Sequence, residues 1–444
     1  MIQSFTVQNF KSILDLTLDF SYSEGKAPNG YEEMDTLPFL EIKRTIKENK
    51  QIKNEYKTIT KKEVIRTVPC LVMYGANAVG KSNIIQALSV MSNVIDEGIT
   101  NTYKPNKLNK KYDYTVFIVE ICIDKKIYKY ELKYNDNAIL KEILSVDNNI
   151  VYSINKELLD VENITTETYN TKKINEIYQV ECCNADKLQQ KTFLNIMYKN
   201  YTGLNKYINK LAQYMHKNLH ILMRPEFPVG LGVQIFEKSC KIDKQKAFNE
   251  IVEILKKFDF DITNIKLEEE LINESAQDGL DSIKKIGGEF FIRDNKLYSN
   301  KIFSYHKDIE NNEVEFDFRK EESLGTNILA GLLGPILMAL HTGSVLCIDE
   351  LERSIHPLVL REIIKMFKSK RYNKNNAQLI FTAHNTDILD DEILRVSEIA
   401  FTSKNIHSGT VIRRASSFKG VRNTDNFRKK YLNGEFLSIP FPYI

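Results

Sequence analysis

The sequence predicts an α/β protein in which two distant parts of the chain build one mixed sheet and a mostly helical insertion separates them. Three observations predict this fold class. A glycine-rich loop lies between an apolar strand and an apolar helix at residues 68–91. A second apolar strand, which ends in two acids, lies far along the chain at residues 343–350. Between these segments, from about residue 155 to residue 270, apolar residues recur at helical spacing.

Composition indicates ordinary globular material. The 444 residues include 42% hydrophobic and 27% charged residues, and the net charge is +3. This charge balance neither requires nor excludes nucleic acid as a partner, so any basic patch would have to be local. The six cysteines contain no C-x-x-C pair, and the N-terminus lacks a signal-peptide pattern. No apolar run approaches the length of a membrane span, so we expect a cytoplasmic protein without a membrane partner.

The first half of the predicted sheet occupies residues 1–154. Its opening hairpin alternates apolar and polar residues, and residues 114–153 read as an antiparallel β subdomain of four strands. Between them, Ser21 to about Lys62 is polar and rich in Lys and Glu. We predict that this stretch is an elaborated, solvated loop with room for one helix, and a contact surface is the alternative.

The segment Gly75–Ser82 fits the phosphate-loop pattern G-x-x-x-x-G-K-[ST], and it has the required strand before it and helix after it. Glycines let the backbone turn tightly and point its N–H groups inward, and the start of the following helix favours anions. Lys81 can reach the outer phosphates of a nucleotide as a point charge. The hydroxyl of Ser82 can take one corner of a Mg²⁺ octahedron. The residues predicted to contact nucleotide here are Asn77, Ala78, Val79, Gly80, Lys81, Ser82 and Asn83.

Residues 155–284 form the predicted insertion, and helical spacing continues through Leu188–Tyr198, Leu204–Met215 and Ala247–Phe258. The insertion carries no catalytic motif that the sequence reveals. We expect it to mediate oligomerisation or contact with a partner.

The strand at 343–350 ends in Asp349 and Glu350. An acid at the carboxyl end of such a strand is placed to hold Mg²⁺, which here predicts Asp349 as a metal ligand together with Ser82. The next residue, Glu350, can polarise an attacking water. A strand followed by a solvated acidic turn would look the same, and the phosphate loop is what favours the catalytic interpretation.

Two further segments in residues 285–444 complete the predicted site. A buried strand at 377–382 presents His384 at its end, where it can sense a γ-phosphate. Before the apolar helix 328–340, Ser323 is a natural N-cap and Gly325 permits close approach of a phosphate to free N–H groups. A hydrogen-bonded loop histidine and a simple helix cap are the alternatives.

These segments resemble the ABC-type ATPases of the SMC/RecF/OLD branch. The matching peptides are Asn9-Phe10-Lys11-Ser12, Gly75 to Ser82, Glu322-Ser323-x-Gly325-Thr326, Ile348-Asp349-Glu350 with Ser354-x-His356-Pro357, and Thr382-x-His384. The chain is most similar to the stand-alone ATPase subunits of bacterial phage-defence systems, of the abortive-infection, RloA and PARIS (AriA-like) types. The peptide from Tyr431 to Pro440 also resembles that group.

The resemblance implies an ABC ATPase head that binds ATP and Mg²⁺ and pairs head to head in a homo-oligomer. Lys81 and Ser82 of one subunit would hold ATP, and Ser323 and Gly325 of another would cap it. OLD-type relatives carry a Toprim nuclease domain, for which the residues after His384 leave no room. The resemblance therefore implies a sensor ATPase that controls a separate effector, expected to be a Toprim-type or other nuclease.

Two other functions compete with this hypothesis. A DNA-repair ATPase similar to RecF would act directly on DNA and predicts DNA-stimulated hydrolysis. The near-neutral charge and the lack of a long coiled coil disfavour it. A transporter ATPase would need a membrane partner, and the insertion and the divergent signature peptide argue against it.

Overall fold

The computed structural model describes residues 1–52, 55–109, 111–155, 158–160, 176–178, 180, 190–258, 260–273, 290–293, 296–389, 393–405 and 409–439. The strands are β1 (Ile2–Phe10), β2 (Ile13–Asp19), β3 (Leu40–Ile52), β4 (Glu55–Thr67), β5 (Cys70–Tyr74), β6 (Thr115–Ile123), β7 (Lys126–Tyr134), β8 (Ile139–Val146), β9 (Asn149–Asn155), β10 (Leu158–Asp160), β11 (Leu219–Leu222), β12 (Asn264–Asn273), β13 (Phe290–Arg293), β14 (Lys296–Lys307), β15 (Glu313–Asp317), β16 (Val345–Ile348), β17 (Gln378–Thr382), β18 (Ile399–Asn405) and β19 (Gly409–Arg414).

The helices are α1 (Lys81–Glu97), α2 (Phe193–Asn200), α3 (Lys206–Lys217), α4 (Val229–Cys240), α5 (Lys244–Lys257), α6 (Phe318–Glu321), α7 (Leu324–Thr342), α8 (Pro357–Lys368) and α9 (Phe427–Leu432). Two short 3₁₀ helices, Thr386–Ile388 and Ala415–Ser417, lie near the C-terminus.

One 13-stranded mixed sheet organises the chain, in the order β10-β9-β8-β7-β6-β1-β2-β19-β18-β5-β17-β16-β11. The strands from β18 to β11 are parallel, and those from β10 to β2 are antiparallel. In this order β5, from before residue 155, lies between β18 and β17, which come from after residue 284. The predicted fold class, a mixed sheet with an antiparallel β subdomain built from both halves of the chain, is therefore confirmed.

The parallel strands are buried on both faces, which is why they read as continuous apolar runs. In β5, Leu71 and Met73 belong to the apolar cluster on the side of α1, α2 and α3. Cys70, Val72 and Tyr74 belong to the cluster on the side of α7 and α8. Helices thus cover the sheet on both sides, and only the ends of the parallel strands are left to build a site.

The region predicted as a mostly helical insertion contains helices and strands. Its strand β11 was not predicted, and it joins the large sheet parallel to β16. His220 interrupts the four residues of this strand, so its sequence lacks the continuous apolar run of β16. The strand β12 pairs with β14, outside the large sheet.

Helix α4 packs backbone to backbone against α7. A Cβ atom on Gly232 would lie 2.3 Å from the carbonyl oxygen of Gly331. This distance is a steric clash, so only glycine fits at this position. Helix α7 is itself long and apolar enough to cross a membrane by length and composition, so the expectation that no apolar run reaches that length is wrong. Most of α7 is buried inside the fold, as expected for a core helix.

The prediction of a loop between Ser21 and Lys62 holds as far as Phe39 and is wrong from Leu40 onward. Strands β3 and β4 form a two-stranded antiparallel ribbon whose register runs from Leu40 opposite Thr67 to Ile52 opposite Glu55. Apolar residues in this ribbon are interrupted by lysines and glutamates, so the sequence lacks the clean alternation of a half-buried strand.

Candidate functional site

The phosphate loop connects β5 to α1 as predicted. Gly75 and Gly80 have φ angles of 159° and 109°, and at Gly80 a Cβ atom would lie 2.1 Å from the hydroxyl oxygen of Thr410. Gly80 is the N-cap of α1, with no side-chain cap and no acidic residue in the first turn. No carboxylate of its own first turn therefore competes for the positive end of α1, which suits an anionic ligand.

Lys81 lies almost fully buried, with 5% of its surface exposed. Its ammonium group donates hydrogen bonds to the carbonyl oxygens of Gly75 (2.6 Å) and Ala76 (3.1 Å). Among the described residues, no carboxylate forms an ion pair with it. Burial lowers the pKa of Lys81 to about 8. The charges of Glu352, Asp349 and Glu350 offset part of the cost of burial from a distance, and a buried ammonium with no direct ion pair fits the triphosphate of a nucleotide.

The rest of the loop faces outward. Asn77, Ala78 and Ser82 are exposed, and Val79 is half-buried. The amide of Asn83 donates a hydrogen bond to the hydroxyl of Ser12 (2.7 Å), so it connects α1 to the turn between β1 and β2.

The two acids follow β16, next to β17 in the sheet. The hydroxyl of Thr382 donates a hydrogen bond to Oδ1 of Asp349 (2.6 Å) and accepts one from the backbone N–H of Glu350 (2.8 Å). Asp349 is buried, with 7% of its surface exposed. Glu350 has a φ angle of 52°, and its side chain is 43% exposed. One threonine therefore positions both acids.

His384 lies between the lysine and the acid. Its Nδ1 atom is 3.3 Å from Nζ of Lys81, and its Nε2 atom is 3.8 Å from Oε1 of Glu350. Because an ammonium group has only donors, Nδ1 is the acceptor, and the proton of the neutral ring lies on Nε2. Burial and the charge of Lys81 both lower the pKa of His384, which keeps the ring neutral.

Parallel pairing brings these groups together. β17 lies between β5 and β16, and all three strands point the same way. The phosphate loop, His384 and the acids follow the carboxyl ends of the three strands, so they meet at one edge of the sheet. Lys81, Asp349, Glu350 and His384 thus form one site.

Glu352 belongs to this site and was missed. Its Oε1 atom accepts a hydrogen bond from the backbone N–H of His384 (2.6 Å). Its Oε2 atom is buried and has no hydrogen-bond partner among the described residues. Burial raises the pKa of its carboxyl group. A second glutamate two residues after Glu350 was the signal in the sequence, but only folding shows that it turns inward.

Thr382 and Thr410 were also missed. Thr410 donates a hydrogen bond to the carbonyl oxygen of Val79 (2.8 Å), and its hydroxyl lies 2.6 Å from that of Ser12. Residues from both ends of the chain therefore support the phosphate loop. Thr382 stood in the matching peptide Thr382-x-His384, but nothing in the sequence showed that its hydroxyl binds Asp349. Thr410 belongs to no motif, so no sequence signal could have identified it.

Ser323 and Gly325 lie elsewhere on the chain's surface. Ser323 caps α7 by accepting a hydrogen bond from the N–H of Thr326 (3.1 Å). A Cβ atom on Gly325 would lie 3.0 Å from the carbonyl oxygen of Ser354. Within the described residues, no hydrogen bond joins Ser323 or Gly325 to residues 75–83. The structure thus groups them with the segment that follows Glu350 and not with the phosphate loop of the same chain.

The donor set at the sheet edge suits a hard cation. Ser82 offers an exposed hydroxyl and Asp349 a carboxylate, and oxygen ligands of this kind are those that Mg²⁺ prefers. No cluster of three His, Cys, Asp or Glu side chains that could hold a metal ion occurs in the described part of the chain. Two protein ligands are enough for Mg²⁺ when phosphates and waters supply the others.

The chain is similar to solved structures of SMC head domains. One is an SMC head bound to the C-winged helix domain of ScpA, with 11% identity and a TM-score of 0.43, covering 93% of this chain and 97% of that chain. The SMC head from Thermotoga maritima has 10% identity and a TM-score of 0.39, covering 93% and 98%. The Smc head with coiled coil and joint derived from Pyrococcus yayanosii has 11% identity and a TM-score of 0.35, covering 98% and 99%.

No curated protein matches the sequence. The family described as "AAA domain, putative AbiEii toxin, Type IV TA system" matches residues 70–177 and 237–390, more than half of the chain. The matched ranges include the phosphate loop, the two acids and His384. The predicted resemblance to ATPases of the SMC/RecF branch is thereby confirmed, and the chain belongs to this family of AAA domains.

Proposed function

We propose that this protein binds ATP with Mg²⁺, hydrolyses it, and uses its nucleotide state to control a separate effector in bacterial defence against phage. One observation carries the enzymatic part of the proposal. The buried ammonium of Lys81 makes no direct ion pair with a described carboxylate, and it lies beside His384 and near the acids at the edge of a parallel sheet. A site of this kind is incomplete without a polyanion.

We assign nucleotide binding to the phosphate loop. The N–H groups at the start of α1 and the ammonium of Lys81 would hold the phosphates. Ser82 and Asp349 would hold Mg²⁺, which when bound supplies positive charge to the phosphate oxygens. Thr382 fixes Asp349 for that task, because its hydroxyl occupies Oδ1.

We assign the hydrolysis step to Glu350 and His384. The carboxylate of Glu350 orients a water and takes its proton as the water oxygen attacks the γ-phosphorus, and ADP leaves. The side chain of Glu350 is exposed enough for water to reach it. His384 is neutral and would donate from Nε2 toward the transferring phosphoryl group. Glu352 acts on His384 through the backbone, so it is a positioning residue.

The active form is proposed to be a head-to-head homodimer or a larger oligomer. Ser323 and Gly325 lie on an exposed surface next to the segment after Glu350, and Leu324 between them is 68% exposed. Leu358, which follows that segment, is 61% exposed. A second copy that covers these leucines would place Ser323 and Gly325 over the phosphates of its partner. ATP would then control the association of the two copies.

The defence role is supported by two observations. The peptides quoted above resemble ATPase subunits of phage-defence pairs, and the family's printed description names a toxin of a type IV toxin–antitoxin system. A separate nuclease is the effector that the resemblance suggests. In this proposal the oligomer holds the effector inactive and releases it when a phage product or DNA end changes the nucleotide state.

The test begins with binding of a fluorescent ATP analogue to wild type and Lys81→Ala, with Lys374→Ala as an exposed lysine control. Lys81→Ala should lose binding on the order of 100-fold while melting at a similar temperature, and the control should bind like wild type. The second part purifies the chain with the product of the adjacent gene and measures hydrolysis with and without DNA. A stable complex with slow turnover supports the defence role, whereas DNA-stimulated hydrolysis without a protein partner would replace it.

A further inference from the structure

The charge of the chain is concentrated in the β3–β4 ribbon. Residues 40–67 contain nine lysines and arginines against four glutamates, a net charge of +5, whereas the whole chain has a net charge of only +3. From this concentration and from the geometry below, we propose that the ribbon and the turns beside its base bind a nucleic-acid duplex through its phosphates. This inference does not rest on ATP hydrolysis.

The shape of the ribbon fits such a partner. Each strand has 13 residues, which corresponds to roughly 40 Å at about 3.3 Å per residue. The two strands pair with each other and with no other described strand. The base is anchored by Leu40, Ile42 and Ile65, which pack against Met1 and neighbouring residues of β6 and β7. A two-stranded ribbon is one of the two elements that the major groove of a duplex admits.

A cleft of about 850 Å³ lies between the base of the ribbon and two tight turns of the large sheet. The turns are β6–β7, at Asp124 and Lys125, and β8–β9, at Asp147 and Asn148. The ribbon contributes Lys43, Arg44 and Lys62 to the walls, and the turns contribute Lys125 and Lys126.

Each acid of the cleft forms an ion pair within the chain. Arg44 forms ion pairs with Glu63 (2.5 Å) and with Asp147. Asp124 pairs with Lys210, which lies outside the cleft. The pairs of Arg44 hold the ribbon against the β8–β9 turn. Five lysines and arginines against three acids leave the walls with a net charge of +2.

The remaining cations are exposed. Lys62 and Lys125 have no ion-pair partner among the residues that the structure describes, and the ammonium of Lys126 is 4.0 Å from Asp147. The field of the cleft is therefore positive, and two of its lysines, Lys62 and Lys125, are left without a described acidic partner.

The neighbouring side chains favour phosphates over an acidic protein. Thr45 and Thr60 are exposed beside the lysines, and hydroxyl and ammonium groups are typical contacts to phosphate oxygens. Protein interfaces are instead centred on aromatic side chains and depleted in lysine. The described part of the ribbon between residues 43 and 46, and between 60 and 64, contains no aromatic residue.

The experiment measures binding of a labelled 30-base-pair DNA duplex to the full chain without nucleotide. The measurement is repeated over a series of salt concentrations. The variant is Lys62→Gln with Lys125→Asn, since asparagine tolerates the φ angle of 65° at residue 125. The control is Lys238→Gln with Lys374→Gln, which removes the same charge from exposed lysines on other elements.

We expect the variant to bind on the order of tenfold more weakly and to lower the slope of log K against log salt by about 2, and we expect the control to match wild type. The proposal is overturned if the variant and the control lose the same affinity for the duplex. It is also overturned if the wild-type protein binds no duplex. A short polyphosphate that binds as tightly as the duplex, with the same slope, would replace it with a site for a small anion. ATP hydrolysis in the variant should equal that of wild type, so failure here is separable from failure of the proposed function.

Discussion

The Nζ atom of Lys81 lies 3.3 Å from Nδ1 of His384, although 303 positions separate the two residues in sequence. Each follows a strand of the parallel sheet, and the two strands are neighbours. The contact places a buried positive charge against a neutral imidazole, and Glu350 lies on the other side of the ring.

The pKa of Lys81 predicts a specific dependence of stability on pH. In the folded, nucleotide-free protein it is about 8, against 10.5 for an ordinary lysine. Between these values the unfolded chain binds more protons than the folded chain, so the free energy of unfolding should rise with pH across this window. Below about pH 8 Lys81 is charged in both the folded and the unfolded chain, so folding bears the full free-energy cost of burying the ammonium group. The expected rise is on the order of 1–3 kcal/mol.

Chemical denaturation of wild type and Lys81→Met at pH 7.5 and pH 10 checks this prediction. Taking the difference between the two proteins removes the contribution of tyrosines that titrate in the same range. If the free energy of unfolding changes by the same amount with pH in the two proteins, Lys81 is not buried as a charge in the nucleotide-free protein.

Glu350→Gln should bind ATP and hydrolyse it slowly. The amide keeps the shape of the side chain but cannot accept the proton of water, so kcat should fall by about 10² to 10⁴. The closed oligomer should then accumulate with ATP, which light scattering after gel filtration measures. Hydrolysis near the wild-type rate would remove Glu350 from the mechanism.

Glu352 should act through the backbone of His384. Glu352→Ala leaves the N–H of His384 without an acceptor, and we expect kcat to fall about tenfold or more with little change in KM. Glu352→Gln keeps an acceptor oxygen and should restore most of the activity. Glu362→Ala is the control, because Glu362 pairs with Lys365 on the exposed side of α8. Equal losses in the Ala and Gln variants would mean that the charge matters and not the hydrogen bond.

Mixing two inactive variants tests whether the site is shared between copies. Ser323→Asp keeps an N-cap for α7 but places a negative charge toward the phosphates. Lys81→Ala lacks the phosphate ligand but has an intact Ser323. A mixed dimer contains one complete site, so a mixture should recover ATP hydrolysis that neither variant shows alone. A mixture as inactive as its components would contradict the head-to-head arrangement.

Much of the site was predictable because its functional residues lie in short contiguous motifs. The loop around Lys81, the acids Asp349 and Glu350, and His384 each follow an apolar strand, and a strand of this kind is recognisable from five or six residues. The ribbon of residues 40–67 was mistaken for a loop because its charged residues interrupt the alternation of its apolar residues. The strand β11 was missed because His220 interrupts its four residues, whereas all four residues of β16 are apolar.

The sequence by itself therefore determined which strands exist in the core and which residue types stand at their ends. Only the tertiary structure decided the partners across the sheet. It placed Glu352 under His384, Thr382 between the two acids and Thr410 against Val79, and it set Ser323 and Gly325 apart from their own phosphate loop. The physical reason is that strand chemistry is local, whereas strand order and buried hydrogen bonds depend on which distant segments pack together.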